Sequence, residues 1–494
     1  MKTVKYSFDA DGVPVEVEVK PGERLYSVKV PEPGEATRAL LDALKDRLAS
    51  EIQVDPSEIV DPRSAERIRS RFREKAEELV TEYVPGLDED ERRILVGFLI
   101  HGTVGLGKLE IFLKDDYLEE IAVNSSAENV YVFHREFGWL RTNVRFESES
   151  EIYNCASFIG RRVGRRITVL NPIMDAQFVT GDRVNATLFP ISTKGNTITV
   201  RKFARKPWTV TEFVENGTLT PEAASFLWQA IQYEMNLVFS GGTATGKTSL
   251  LNVFAAFIPP FHRVVSIEDT REINLPGTLH WVPLTTREPN PEGKGGVSMM
   301  ELMTNSLRMR PDRIIVGEIR RPEEAEVLFE AMHTGHSVYS TVHADTASQV
   351  LRRLSNPPIS IPEILLESLH LIAVMHRDRR TNTRRLFEVA EVLPGSERSG
   401  PGLNTLFRWS ASRKALVSSS GPVRFRDELS LHAGMDEKEA EKDRAEKVLI
   451  LKAMVKEGIK TVEAVGRIMA EYYASPEAVL SAARKKKLKV LARD

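Results

Sequence analysis

The pattern of apolar and polar positions changes several times along the chain, and each change predicts a different kind of structure. Within residues 1–100, the alternating valines and glutamates of residues 15–19 predict a β-rich start. The residues that follow are predicted to be mainly helical, because leucines recur at helical spacing; these are Leu40, Leu41, Leu44 and Leu48. Residues 101–203 mix short apolar runs with one helical segment and predict an α+β domain. Irregular composition around Pro207 predicts a linker over residues 204–217.

Strand and helix patterns alternate regularly through residues 218–394. Thr220 as N-cap, Pro221 at the first helical position and Glu222 in the first turn predict the helix that opens this region. Such alternation predicts a parallel α/β core. A break rich in Pro, Gly and Ser then leads into a mainly helical C-terminal extension, residues 395–494. The segments with helical periodicity in that extension are residues 436–457 and 461–473.

One glycine-rich segment of the core has the spacing of a phosphate loop, G-x-x-x-x-G-K-[ST]. It lies between the apolar run of residues 235–240, a predicted strand, and residues 249–254, a predicted helix. Its glycines allow backbone N–H groups to face phosphate oxygens, and the helix start adds partial positive charge. We predict that Lys247 supplies a cation to the phosphates and that the Thr248 hydroxyl binds Mg²⁺. The predicted nucleotide-binding residues are Gly241, Gly242, Thr243, Ala244, Thr245, Gly246, Lys247, Thr248 and Ser249.

A second segment, residues 102–109, nearly repeats this pattern. It ends in Leu109, which has no hydroxyl for a metal, and it follows an amphipathic helical stretch instead of a strand. We therefore predict a helix end and a turn there, without a nucleotide.

Composition narrows the class of protein. The 494 residues are 41% apolar and 28% charged, typical of a soluble globular protein of roughly two to four domains. A net charge of −2 provides no overall attraction to nucleic acid or acidic lipid. The lone Cys155 excludes an internal disulfide framework and a multi-cysteine zinc site. The first residues lack the apolar core of a signal peptide, and no apolar run approaches roughly 18 residues, which predicts a cytoplasmic protein.

Two further predicted strands end in acidic residues. Residues 263–267 are followed by Glu268 and Asp269, and residues 313–317 by Glu318. Hydrolysis needs a metal partner and a base for the attacking water, usually at the carboxyl ends of neighbouring strands. We predict that these acids complete the site. Glu318 either holds the metal through water or orients the nucleophile, and the sequence leaves that choice open.

Residues from about 100 to 395 resemble the ATPase superfamily of type II and type IV secretion systems, the hexameric motors that assemble pili, archaella and secretion pseudopili. Four motifs carry the resemblance. They are the phosphate loop at 241–248, an aspartate-box-like segment at 267–273, a Walker-B-like region at 307–320 and a histidine-box-like region at 334–345. The resemblance implies an α/β fold with a RecA-like P-loop ATPase core, preceded by an α+β domain and followed by the helical extension.

The resemblance also implies roles for individual residues, with ATP and Mg²⁺ bound at the phosphate loop. Glu268 is implied to act as base or to position water, and Glu318 to share the metal and water contacts. His343 is implied to lie near the γ-phosphate as a sensor. Arg183 and Arg201 lie in segments that resemble those which place arginines at the nucleotide of a neighbouring subunit, where they stabilise transition-state charge.

The same resemblance implies partners and a location. We expect a homohexamer that is peripherally associated with the cytoplasmic face of the membrane. It would work through a polytopic inner-membrane platform protein and, indirectly, on pilin-like or secreted substrates. The chain departs from the bacterial pattern in lacking a tetracysteine module and in carrying Arg321-Pro322 and Met309-Arg310 at motif positions. These departures look more like archaeal pilus and secretion members.

Two other functions use a similar core. A RecA-like nucleic-acid translocase is disfavoured by the near-zero net charge and by the lack of a basic groove interleaved with aromatic residues. Nucleic acid is therefore an unlikely partner. A small-molecule kinase or GTP switch is disfavoured because the chain has no N-K-x-D signature and exceeds the size of a minimal kinase.

Overall fold

The computed structural model describes residues 3–52, 64–178, 181–203, 206–287, 289, 293–378, 380–381, 383–395 and 400–492. The chain divides into two compact units, Met1–Arg205 and Lys206–Asp494. Each unit has its own sheet.

The first unit is built on a mixed sheet. Its strands are β1 (Val4–Ala10), β2 (Val13–Lys20), β3 (Leu25–Lys29), β4 (Leu118–Val123), β5 (Asn129–His134), β6 (Gly138–Arg145), β7 (Ile173–Gln177), β8 (Arg183–Thr187) and β9 (Thr197–Arg201). In the described residues their order is β1-β2-β3-β6-β5-β4-β9-β8-β7. Only the β3–β6 pair is parallel among these neighbours. The alternation predicted for residues 15–19 is present in β2, where Val15, Val17 and Val19 are buried.

Helices accompany the sheet in the described part of this unit. They are α1 (Glu35–Glu51), α2 (Ser64–Tyr83), α3 (Glu89–Thr103), α4 (Glu110–Lys114) and α5 (Glu149–Arg162). Asp88 and Glu91 form a capping box at the start of α3. After α3 the chain continues as a turn and a short 3₁₀ helix, Gly107–Leu109, which confirms the helix end predicted for residues 102–109.

The predicted boundary at residues 100/101 lies inside the first unit. Leu25 and Tyr26 in β3 pair in parallel with Arg141 and Thr142 in β6. This pairing joins the N-terminal strands to the sheet of residues 118–201, and no local pattern indicates it.

The second unit contains the predicted parallel sheet. Its strands are β10 (Leu237–Gly241), β11 (Arg263–Glu268), β12 (His280–Thr285), β13 (Arg313–Val316), β14 (Ser337–Val342), β15 (Leu371–Asp378), β16 (Thr383–Leu393), β17 (Gly402–Ser410) and β18 (Ala415–Ser418). In the described residues their order is β12-β11-β13-β14-β10-β15-β16-β17-β18. The strands from β12 to β15 in this order are parallel, and the rest continue antiparallel. Strands β10, β13 and β14 are buried along their whole length, as expected of a sheet covered on both faces.

The helices of the second unit alternate with these strands and then form the C-terminal region. They are α6 (Val210–Glu215), α7 (Pro221–Gln232), α8 (Lys247–Ala255), α9 (Met299–Ser306), α10 (Pro322–His333), α11 (Ala347–Ser355), α12 (Glu363–Leu366), α13 (Arg424–Ala433), α14 (Glu437–Lys456), α15 (Val462–Ala474), α16 (Pro476–Arg484) and α17 (Leu488–Leu491). The Thr220 cap, Pro221 at the helix start and Glu222 in the first turn of α7 are all present. This architecture confirms the predicted α/β fold with its parallel core and helical C-terminal region.

The predicted linker, residues 204–217, differs from the structure in its described part. Residues 204–205 lie outside the described residues, and α6 occupies much of the rest. Thr209 and Glu212 form a capping box, and Val210 and Phe213 pack into the core of the second unit. Pro207 made this segment look irregular, whereas the T-x-x-E spacing at residues 209–212 is a helix start.

The C-terminal residues belong to the second unit. Strands β17 and β18 extend its sheet, and α14 packs against α7. Lys447 of α14 is fully buried, pairs with Asp443, and lies 5.3 Å from the rings of both Trp228 and Tyr472. Both members of this pair belong to α14, and the Lys447 ammonium also contacts the ring of Trp228 on α7.

Among the described residues, none of the helices has by itself the length and apolar composition of a membrane span. One pair of helical segments, Glu89–Thr103 and Gly107–Lys114, has that length and composition when taken together, but the chain bends by 117° between them.

Candidate nucleotide-binding site

The phosphate-loop segment forms a tight turn between β10 and α8. Gly241 and Gly246 have φ values of +149° and +94°, and Ala244 has +58°. A Cβ atom at Gly241 would lie 2.4 Å from the Thr245 Oγ1 and 2.5 Å from the Met375 carbonyl oxygen, so this position requires glycine. No side chain caps the start of α8. The backbone N–H groups at this helix start are therefore not bonded to a capping side chain, and they can face a phosphate.

Lys247 is the first residue of α8 and is buried. Its Nζ atom donates to the Gly242 carbonyl oxygen at 3.2 Å and lies 3.2 Å from the His343 Nδ1. Thr248 and Ser249 follow in the same turn and are half-buried, while Thr243 and Ala244 are exposed. The nine residues predicted to bind nucleotide therefore form one contiguous loop and helix start.

The predicted catalytic side chains of this unit meet at one edge of the sheet. Glu268 is the last residue of β11, Glu318 follows β13, and His343 follows β14. Since β11, β13, β14 and β10 are consecutive parallel strands, their carboxyl ends lie side by side. The His343 Nε2 is 2.8 Å from the Glu318 Oε1. The structure thus links Lys247, His343 and Glu318 by direct polar contacts.

The surroundings of His343 indicate its protonation. Burial lowers the pKa of His343 below its ordinary value, and the Lys247 ammonium lowers it further. In the neutral imidazole one nitrogen accepts and the other donates. The Lys247 Nζ lies 3.2 Å from Nδ1 and 3.4 Å from Nε2. In the tautomer with its proton on Nε2, Nδ1 accepts from Lys247 and Nε2 donates to Glu318. A proton on both nitrogens would repel the lysine.

Glu268 has a different environment. It is only 2% exposed, and its Oε1 accepts from the backbone N–H groups of Glu272 and Ile273 at 2.8 and 3.0 Å. Burial raises the pKa of Glu268 to about 7, although these two hydrogen bonds lower it. Its side chain packs against Gly317, where a Cβ atom would lie 3.3 Å from the Glu268 Cγ. The carboxyl group therefore changes charge near neutral pH.

Two side chains beside the loop have no role assigned to them from the sequence. Arg384 of β16 donates from Nε to the Ala244 carbonyl oxygen at 3.1 Å. The Asp345 Oδ1 would lie 2.9 Å from a Cβ atom on Gly242, so this carboxylate borders the loop. Asp345 lies in the histidine-box-like region, so the sequence offered a signal that this residue is near the site. Arg384 is 140 positions from Ala244, and no sequence pattern connects the two.

Arg320 is the other unassigned side chain. It appears in the Walker-B-like region without a role in the sequence interpretation. Its Nη2 lies 2.8 Å from the Glu318 Oε2 and its Nη1 2.7 Å from the Asp269 Oδ2. The charged sequence Glu318-Ile319-Arg320 was the available signal, since alternate residues can share a face of an extended segment.

The predicted arginines Arg183 and Arg201 belong to the first unit, whereas the phosphate loop belongs to the second. They lie directly opposite each other on β8 and β9, and Glu120 of β4 lies opposite Arg201 on the other side. Burial raises the pKa of Glu120 above its ordinary value, and the Arg201 charge opposes that shift. The structure brings the two arginines together in one row across the sheet. Their contact with a neighbouring subunit's nucleotide stays a prediction.

The residues present suit Mg²⁺. The part of the chain that the structure describes contains no cluster of three or more His, Cys, Asp or Glu side chains that could hold a metal by themselves. Magnesium at a phosphate site needs few protein ligands, because phosphates and water fill most positions. The Thr248 hydroxyl in the first turn of α8 and the Glu318 carboxylate beyond β13 are the side chains that would hold it.

The chain is similar to a protein family and to several known proteins. Residues 103–385 match the protein family described as "Type II/IV secretion system protein". An uncharacterized protein of Methanocaldococcus jannaschii is 37% identical over 66% of this chain and 59% of its own length. A putative conjugal transfer protein of Mycobacterium tuberculosis is 31% identical over 58% of this chain and 84% of its own. The X-ray structure of the Legionella pneumophila ATPase DotB aligns with a TM-score of 0.43 and 18% identity, over 73% of this chain and 94% of that one.

The match to the first relatives is partial. The chain spans 59% and 45% of the lengths of the first two curated relatives, both from Methanocaldococcus jannaschii.

Proposed function

Because the chain belongs to the family of type II/IV secretion system proteins, we propose that it is an ATP-hydrolysing motor that drives secretion or pilus assembly. It works as a homohexamer at the cytoplasmic face of the membrane. A polytopic platform protein receives the work and moves pilin-like or secreted substrates. The observation that carries the ATPase proposal is the contact of the phosphate-loop Lys247 with His343 and, through it, with Glu318.

The first step is phosphate binding by this chain's own loop. Lys247 exchanges its hydrogen bond to the Gly242 carbonyl oxygen for the β- and γ-phosphates of ATP, and the start of α8 adds its partial positive charge. Mg²⁺, when bound, neutralises charge on the phosphate oxygens. Thr248 and Glu318 are the residues that hold it.

Proton transfer is the task of a strand-end carboxylate. A general base works best when its pKa lies near the working pH. Glu268, whose pKa burial raises to about 7, meets that condition. Glu268 takes the proton of the attacking water or orients that water, while His343 senses the γ-phosphate through its contact with Lys247.

Replacement of Lys247 tests the ATPase proposal. Lys247→Ala removes the cation that faces the phosphates, so turnover falls at least about 100-fold and nucleotide affinity also falls. Lys108→Ala is the matched control, because Lys108 stands at the lysine position of the near-repeat at residues 102–109 and pairs with the carboxylates of Glu147 and Glu151 in the first unit. Phosphate release and binding of a fluorescent ATP analogue measure both effects. A Lys247→Ala protein that hydrolyses ATP near the parent rate rules out this site.

A second measurement separates the motor from a nucleic-acid translocase. Turnover of the purified chain is measured with single-stranded DNA and with vesicles that carry the membrane partner. Stimulation by the vesicles and not by DNA supports the motor. Stimulation by DNA alone contradicts it.

A further inference from the structure

A row of polar contacts crosses the carboxyl edge of the parallel sheet. We call it the strand-end chain and define it as Lys247, His343, Glu318, Arg320 and Asp269. Its members follow β10, β14, β13 and β11, which are consecutive strands in the sheet. Each contact between successive members is 3.2 Å or shorter. The row therefore connects the phosphate loop to the far acidic strand end.

Arg320 is the member that joins two acidic strand ends. Its Nε and Nη2 donate to the Glu318 Oε2 at 3.0 and 2.8 Å, and its Nη1 donates to the Asp269 Oδ2 at 2.7 Å. The guanidinium fork presents several donors in one plane, so a single side chain holds both carboxylates at a set separation.

The Arg320 backbone and the Asp269 carboxylate are each held by a further residue. The Arg320 backbone N–H donates to the Glu324 Oε2 at 3.2 Å, and Glu324 is buried in the first turn of α10. The Asp269 Oδ1 accepts from the Thr286 Oγ1 at 3.2 Å, immediately beyond β12.

The bridge also determines what the other oxygen of Glu318 can do. Arg320 occupies Oε2, so Oε1 is the oxygen that meets the His343 Nε2 at 2.8 Å. If the guanidinium were absent, the carboxylate could rotate about its terminal torsion, which is broad for glutamate. His343 and Lys247 would then lose a defined partner.

We propose that Arg320 is a positioning residue for hydrolysis: it orients the Glu318 carboxylate toward His343 by tying it to Asp269. This inference rests on the proposed function, because it concerns turnover at the phosphate loop. Arg320 contributes to the chemical step and leaves nucleotide binding to Lys247 and the loop.

The test compares turnover with binding. In Arg320→Ala, kcat falls about 10-fold or more, as is usual when a partner that orients a catalytic ligand is removed. Kd for a fluorescent ATP analogue, measured without turnover, stays within about 2-fold, since the loop is intact. Arg320→Lys keeps the charge but not the fork and recovers only part of kcat. Arg352→Ala, an exposed arginine of α11, is the control and keeps the parent rate.

A double-mutant cycle separates positioning from general support of the fold. Asp269→Asn lowers kcat in the parent, because Arg320 loses its second anchor. In the Arg320→Ala background the same change alters kcat by less than about 2-fold, because the bridge is already absent. Full multiplicative effects of the two substitutions overturn the proposal.

Other results overturn it as well. A parent-like kcat in Arg320→Ala shows that the bridge is dispensable. A joint loss of kcat, nucleotide binding and melting temperature shows a structural role instead. If the parent itself has no ATPase activity, the proposed function fails and takes this inference with it, whereas an active parent beside an unaffected Arg320→Ala refutes this inference alone.

Discussion

The carboxylates of Glu268 and Glu318, at the ends of neighbouring strands, have different surroundings. In enzymes, such a difference gives two carboxylates different catalytic roles. Glu268 is nearly fully buried and accepts only backbone N–H groups at its Oε1. The Glu318 side chain is 18% exposed and contacts His343 and Arg320. We propose that Glu268 transfers the proton near neutral pH and that Glu318 holds the metal, directly or through water, beside the phosphate loop.

The pH dependence of turnover tests Glu268. A carboxyl with a pKa of about 7 is protonated below that pH and cannot accept a proton, so kcat/KM of the parent falls as pH drops through about 7. Glu268→Gln removes the base, lowers kcat about 100-fold or more, and abolishes this acid limb while nucleotide affinity survives. Steady-state kinetics from pH 5.5 to 8.5 provide the check. An unchanged limb in the variant would assign it to another group.

At the scale of elements, the site depends on the geometry of the phosphate loop. The phosphate loop turns through three residues with positive φ, and Arg384 of β16 donates to its Ala244 carbonyl oxygen.

The C-terminal helix α14 packs on α7 through buried polar atoms. The Gln229 Nε2 donates to the Asp443 Oδ2 at 2.6 Å, and Lys447 pairs with the other oxygen. Buried polar groups of this kind need all their partners.

The packing of α14 on α7 predicts that two charged pairs contribute differently to stability. They are Asp443–Lys447 and Glu222–Lys452. Asp443→Asn leaves the Lys447 ammonium buried beside a neutral amide, and we expect a loss of about 3 kcal/mol in the free energy of unfolding of the second unit. Glu222→Gln breaks the exposed pair with Lys452, which joins the same two helices, and should cost less than about 1 kcal/mol. Denaturant titrations followed by tryptophan fluorescence compare them. Equal losses would show that Lys447 is not held by this pair.

At the scale of the whole molecule, the two units carry different parts of the proposed reaction. The phosphate loop and the strand-end acids belong to Lys206–Asp494, and the paired Arg183 and Arg201 belong to Met1–Arg205. We propose that in a homohexamer the arginines of one subunit complete the site of the next. Turnover would then depend on assembly.

Mixing of two inactive variants tests that dependence. Lys247→Ala subunits have intact arginines but no working phosphate loop, and Arg201→Ala subunits have the reverse. Some interfaces in a mixture combine a working loop with an intact arginine, so the mixture recovers turnover that neither parent has. Specific activity of the unmodified chain also rises with protein concentration as subunits associate. If subunits exchange and no activity returns, or if a monomer turns over at a rate independent of concentration, the arginines do not act across subunits.

Sequence alone determined what depends on neighbouring positions. Helix starts at Thr220 and Asp436, the buried strands of the core, and the phosphate loop of residues 241–249 all follow from short-range spacing, and the structure contains each of them. The acids Glu268 and Glu318 were predicted to meet because the carboxyl ends of parallel strands share one edge. Such features are readable because capping, φ preference and alternation act over a few residues.

Only the tertiary structure decided which distant residues meet. The pairing of β3 with β6, the addition of β17 and β18 to the core sheet, and the contact of Arg384 with Ala244 join segments that no local pattern connects. The same holds for Arg320, whose second partner Asp269 lies 51 positions away. Strand register and burial determine these contacts, and both depend on how the whole chain packs. The sequence does not reveal the contacts, because an exposed charge and a charge that bridges two partners have the same local pattern.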